Sequence, residues 1–224
     1  MQIRTMAAIM MIMLAVTLID ASDARAQATD SGRIPQQIDL YDVILTYPQP
    51  AWISGNIEAD KLLDQSEFYR DHAGSQFLLE QIPRGQEFTS WDSLYAVAAE
   101  ELADGQTATM RDFIGLAVDQ NNLACADGGF GAQTFGESEG DAMLVLVCGS
   151  TVNGPPNVGY GPDVGEVSIW RFLIYENTYL KVYQRWRGPA LGIDERTSWP
   201  VSEPQLQEMR RRLENEIAVL PNNF

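Results

Sequence analysis

The stretch Val167 to Arg187, VSIWRFLIYENTYLKVYQRWR, decides the fold. Two runs rich in β-branched and aromatic residues flank a short polar break, the pattern of a β-hairpin. A three-residue loop over Glu176 to Thr178 pairs Ile174 with Leu180, Phe172 with Val182 and Trp170 with Gln184, with Trp186 joining the same face. A two-residue loop that sets Ile174 opposite Lys181 and Trp170 opposite Arg185 mixes both faces. Because a one-residue slip exchanges the core and solvent sides of a strand, the first register is expected. Its second face carries Arg171, Tyr175, Tyr179, Lys181, Tyr183, Arg185 and, at the end, Arg187. Tyrosine and arginine offer large contact area, hydrogen bonds and cation–π contacts, so this stripe is the candidate binding face. The plainer alternative is a sheet face beneath a helix, in which cross-strand tyrosine and arginine pairs only stabilise the sheet.

Upstream of the hairpin, Ala142 to Cys148 (AMLVLVC) is apolar on both faces, which predicts a strand central in the sheet. Glycine-rich stretches at 126–141 and 149–165 read as loops around it. Residues 107–123 show a helical stripe of Met110, Phe113, Ile114 and Ala117 leading into Cys125. Trp91, Leu94, Tyr95, Ala98 and Leu102 also fall at helical spacing, although Val97 and Ala99 suit a strand. Residues 67–82 predict a hairpin turning at 71–74, with Gly74 supplying a positive φ, and Tyr41 to Tyr47 a first strand. The chain ends in an amphipathic helix: Ser202 and Gln205 form a capping box ahead of Leu206, Met209, Leu213, Ile217 and Leu220. The fold class is α+β, a mainly antiparallel sheet with helices packed on it.

Outside that pattern lies the amino terminus. Arg4 precedes a run from Met6 to Ile19 broken only by Thr17, followed by Ala24-Arg25-Ala26 and Ala26-Gln27-Ala28. A basic start, a short apolar stretch and small residues at alternate positions are what signal peptidase reads. The run is shorter than the roughly 20 residues needed to span a bilayer. Residues 1–28 are therefore expected to be a signal peptide, cleaved after Ala28 or alternatively Ala26, leaving a soluble periplasmic or secreted protein with no membrane insertion. A polar segment at 29–37 is expected to be disordered, and 38–224 to form one globular domain. Residues 29–150 carry 20 Asp and Glu against 5 Lys and Arg, a net −15, whereas residues 151–224 carry 9 against 8. That acidity disfavours nucleic acid, whose phosphates would be repelled.

Candidate chemistry is sparse. Cys125 and Cys148 are the two cysteines, and in an oxidising compartment such a pair is expected to form a structural disulfide. It would tie the end of the 107–123 helix to the strand at 142–148. With His72 as the single histidine, they cannot supply a zinc site, and no cofactor is expected. Asp71, His72 and Ser75 superficially offer hydrolase parts, but neighbours in a tight turn do not converge as a triad must. Gly129-Phe130-Gly131 and Gly159-Tyr160-Gly161 lack the strand-then-helix setting of phosphate loops. Glu137, Glu139 and Asp141 lack calcium-loop spacing.

Ile82-Pro83-x-Gly85 then Trp91, the spaced Cys125 and Cys148, Gly165 to Ile169 (GEVSI), and Gln184 to Gly188 (QRWRG) carry a resemblance. Over residues 38–190 the chain resembles small exported alphaproteobacterial proteins of unknown function, similar to the PsbP/Mog1-like α/β/α sandwich group. The resemblance implies compartment and fold, and carries over no catalytic residue. The function expected is a non-enzymatic binding or accessory module for an envelope protein, a peptide or a small anionic ligand. Two alternatives stand beside it: a carboxylate-based hydrolase with its site under the glycine-rich loops, and a structural envelope protein without a ligand.

Overall fold

The computed structural model describes residues 37–53, 61, 64–103 and 105–222. The expected signal peptide and all but the last residue of the polar 29–37 segment lie outside these.

The elements with described bounds follow in the order β1 (Gln37–Leu40), β2 (Val43–Thr46), β3 (Ser66–Ala73), β4 (Gln76–Pro83), β5 (Ser93–Glu101), α1 (Met110–Ala124), β6 (Phe130–Glu137), β7 (Asp141–Cys148), β8 (Val164–Tyr175), β9 (Thr178–Pro189), α2 (Glu203–Asn215) and β10 (Ala218–Pro221). Seven strands form one antiparallel sheet in the order β3-β4-β5-β9-β8-β7-β6, and β1-β2-β10 form a second, smaller one. Both faces of the large sheet carry apolar cores. Against the first face pack α2 and the small sheet, through Val43, Leu45, Leu206, Met209 and Leu213. Against the second packs α1, through Met110 and Ala117, over Leu144, Trp170 and Phe172. The α+β class, with an antiparallel sheet and a C-terminal helix, is what the sequence leads one to expect.

The hairpin stands in another register. A two-residue turn, Glu176-Asn177, joins β8 to β9, with Tyr175 opposite Thr178, Phe172 opposite Lys181 and Trp170 opposite Tyr183. Relative to the expected pairing this is a one-residue slip. Because both faces of β8 and β9 are buried, keeping one face apolar does not discriminate between registers here. Glu176 closes the tighter turn with a positive φ of 51°, an uncommon backbone for glutamate.

Five other expectations change. Tyr41 lies not in the first strand but in the turn between β1 and β2, at a positive φ of 54°. Residues 93–101 are strand β5, buried on both faces between β4 and β9, so that its apolar residues carry no clean period. Part of the first glycine-rich stretch is the edge strand β6. The hairpin of β3 and β4 turns after Ala73, which leaves His72 exposed on β3 rather than in the turn; Gly74 does take a positive φ of 61°. Helix α2 has its capping box at Ser202 and Gln205 but stops at Asn215, and Leu220 belongs to β10, opposite Ile44 of β2.

Cys125, just past α1, is bonded to Cys148 at the end of β7, with the Cα atoms 5.6 Å apart. Strand β7 is interior to the sheet, second from its edge, and buried on both faces. Helix α1 is fixed at its other end by a capping box between Thr109 and Asp112. No helix among the described residues is long and apolar enough to cross a membrane.

Candidate binding face

The observed register divides the seven hairpin residues between the two faces. Arg171 and Tyr175 lie on the face that carries α2, and the other five on the face that carries α1. Arg171 holds the end of α2: Nη1 donates to the carbonyls of Leu213 and Glu214, while Nε and Nη2 donate to Asp141 at 3.1 and 2.7 Å. A cation at a helix C-terminus also meets the negative end of the helix dipole. Tyr175 packs half-buried against the first core.

On the α1 face, Tyr179 is buried with its ring 5.1 Å from Phe113, and its hydroxyl donates to the Ala108 carbonyl. Tyr183 is buried and stacks on Trp170 at 4.0 Å. Arg187 is buried between the rings of Trp91 and Tyr160, at 3.6 and 4.6 Å. Its guanidinium donates to the Val158 carbonyl at 2.9 Å and reaches Glu166 at 3.4 Å. Arg185 pairs with the other oxygen of Glu166 at 2.8 Å and donates to Asn121 of α1 at 2.8 Å. Glu166 is thus a buried carboxylate closed by two arginines. Among the cross-strand pairs of the expected stripe, only Lys181, half-buried 5.6 Å above Phe113, keeps a charge without a carboxylate in salt-bridge reach among the described residues.

The sheet beside that cluster is partly open. Helix α1 packs over β6, β7 and β8. The neighbouring strip of β9, β5, β4 and β3 presents Lys181, Ala98, Leu78 and Glu80, all half-buried, and Tyr69, 42% exposed. Glu80 also has no ion pair among the described residues; burial holds its carboxyl above the usual range, against the pull of Arg185. Burial likewise pushes the Lys181 ammonium down, with Glu100 opposing and Arg185 reinforcing. One flank of α1 borders the strip, since Phe113 touches Tyr179 and faces Lys181. The opposite flank faces the sheet edge, where Arg111 reaches Glu137 of β6 at 3.9 Å. Leu116 and Leu123, 52% and 67% exposed, follow Phe113 along the strip side.

Sequence reasoning found Lys181 and missed Glu80, Leu78, Ala98, Leu116 and Leu123. The spacing of Phe113, Leu116 and Leu123 is a legible signal, whereas the meeting of β4 with β9 through β5 is not.

Other candidate chemistry does not assemble. Among the described residues no group of His, Cys, Asp and Glu could hold a metal ion, and Asp141 serves Arg171. Two shallow depressions are present among the described residues, the second at the C-terminal end of α1 with Leu123 in its wall. One, of about 540 Å³, is lined by Arg196, Trp199 and Glu203, and one of about 270 Å³ by Asn122, Asp127 and Asn153. Neither gathers a pair of buried carboxylates.

No family model and no curated protein matches this chain. Among solved structures it is similar to a point mutant of protein Mog1, at 12% identity and a TM-score of 0.42 over 81% of this chain and 94% of that one. It is similar also to the Saccharomyces cerevisiae Ran-binding protein Mog1p, at 12% identity and a TM-score of 0.44 over 81% of this chain and 93% of that one. At identities and scores this low the likeness extends to neither partner nor chemistry.

Proposed function

We propose that this chain is an exported, non-enzymatic binding module that holds a protein partner on the open strip between α1 and β3. The observation that carries this is one of placement. Glu80 and Lys181, half-buried and without ion pairs among the described residues, share a sheet face bordered by exposed Leu116 and Leu123. Charges that a fold desolvates without pairing cost stability, and groups perturbed in this way cluster at functional sites. A hydrolase working through two carboxylates needs both free and facing a common bond. Glu166, the buried carboxylate near the second glycine-rich loop, is instead occupied by Arg185 and Arg187. Export belongs to the same proposal: the leader is removed after Ala28 or Ala26, and the protein works in the periplasm or beyond, as in the small alphaproteobacterial proteins that it resembles.

Site-specific photo-crosslinking in intact cells tests this. A photoreactive phenylalanine analogue replacing Leu116 is expected to give a discrete adduct with one protein. The same analogue replacing Arg111, on the far flank, is expected to give none. Ala98→Arg, which fills the strip, is expected to remove the Leu116 adduct without unfolding the domain. Equal adducts from both positions, or one indifferent to Ala98→Arg, would overturn the proposal, as would the absence of any adduct.

A further inference from the structure

We infer that the open strip takes a basic amphipathic α-helix of the partner, laid alongside α1; this rests on the binding proposal above and names what is bound.

Width is the first ground. The outer strands of the strip, β9 and β3, are three strand spacings apart, about 14 Å. A helix with its side chains is about 10–12 Å across, and packed helices lie about 8–10 Å from axis to axis. With α1 centred over β7, one further helix packed beside it lies about two strand spacings away, over β9 and β5, and so covers Lys181 and Ala98 and borders Leu78 and Glu80. An extended segment lying on the face would fit poorly in another respect. The backbone groups of β4, β5 and β9 are already paired within the sheet, so a strand on top of them finds no partners for its own. A helix satisfies its backbone internally.

The second ground is the flank of α1. Phe113, Leu116, Gln120 and Leu123 are spaced by three, four and three residues, the seam by which one helix packs against another. This seam lies beside the stripe that α1 buries in the sheet, Met110, Ala117 and their neighbours, and two of its leucines are exposed.

Charge is the third. Asp112 and Asp119 lie on the outer side of this seam, and Asp71, Glu80 and Glu100 on the strip itself. Against them stand Lys181 and Arg185, and the latter is engaged by Glu166. A helix with apolar residues on one stripe and Lys or Arg on its flanks complements this surface. An acidic helix does not.

Phage display on the purified protein supplies the test. The first library holds amphipathic helices of about 18 residues, five turns, with randomised flanks. The second has the same composition but a central proline that breaks the helix. Enrichment is expected from the first alone, with Lys and Arg on the selected flanks. By fluorescence anisotropy the selected peptides are expected to bind Leu116→Asp/Leu123→Asp at least about tenfold more weakly than the parent protein. Both leucines are exposed, so this variant is expected to keep the parent's circular dichroism and cooperative unfolding. Its midpoint is expected at a somewhat lower denaturant concentration, because aspartate is a weaker helix former and, at 123, stands at the C-terminal end of α1. No enrichment, enrichment from the proline library, acidic selected flanks, or equal binding to the variant would overturn the inference. Should the crosslinked partner still form its adduct at position 116 in that case, the binding proposal stands and only the helix is wrong. Should the adduct be missing as well, both fail.

Discussion

Lys181 and Glu80 are the residues on which the site turns, and both are poor choices for stability alone. Burial pushes the Lys181 ammonium below its ordinary value; Glu100 on β5 works against that, Arg185 on β9 adds to it, and the ring of Phe113 on α1 faces the charge. In the window between the lowered native value and the ordinary one, the unfolded chain holds more protons at this site than the folded chain does. The contribution of Lys181 to stability therefore rises with pH through that window, and below it the full cost of the buried charge remains. Lys181→Met is expected to stabilise the domain at neutral pH by about 0.5–1 kcal/mol, as at other sites where function opposes stability. Its advantage is expected to shrink as pH rises into the alkaline range. Paired denaturant titrations of variant and parent at neutral and alkaline pH check this, and a gain that grows with pH would contradict it. Lysine at 181 was legible as a candidate in the sequence. Glu80 was not, because nothing local to FLLEQI tells whether Glu80 faces solvent or a neighbouring helix.

Among the elements, the β8–β9 hairpin shows where sequence reasoning succeeds and where it fails. Its existence follows from two long runs of β-formers, and the structure bears it out over Val164–Tyr175 and Thr178–Pro189. The register does not follow, because pairing by hydrophobic face presumes one wet face, and here both are dry. What decides it includes a turn that puts Glu176 at positive φ. Glycine reaches that conformation without the penalty that a Cβ brings. Glu176→Gly is therefore expected to stabilise the domain by about 0.5–1 kcal/mol, read as a shift of the unfolding midpoint with an unchanged slope. A loss of stability would mean that Glu176 makes interactions worth more than the strain. Strand β5 fails for a related reason. Buried on both sides, it has no reason to alternate, and its apolar residues fall by chance at helical spacing.

In the whole molecule, two cores share one sheet, and the disulfide joins parts of the second. Cys125 and Cys148 link the end of α1 to the interior strand β7 across a sequence separation of 23 residues. Closing a loop of about that length restricts the unfolded chain by roughly 3 kcal/mol. Replacing both cysteines by alanine is expected to lower stability by about 2–4 kcal/mol with the fold retained. Circular dichroism and denaturant unfolding read this out. Thiol labelling of the denatured, unreduced parent is expected to find no free thiol. Labelling of either cysteine there would show that the bond is missing.

Composition and local pattern by themselves determined the α+β class, the pairing of two cysteines, the hairpin, α1 and the capped start of α2. These depend on side-chain periodicity, capping residues and elimination, which operate over a few neighbours along the chain. Strand order, register and the open strip came only with the tertiary structure. Glu80, Ala98, Lys181 and the flank of α1 come from β4, β5, β9 and a helix, and they meet because β5 lies between β4 and β9. The same packing buries Tyr179, Tyr183 and Arg187 beneath α1 and the 149–163 loop, and turns Arg171 to the opposite side of the sheet. A one-residue change of pairing is nearly silent in a sequence that is apolar on both faces, yet it decides which side chains a partner can reach.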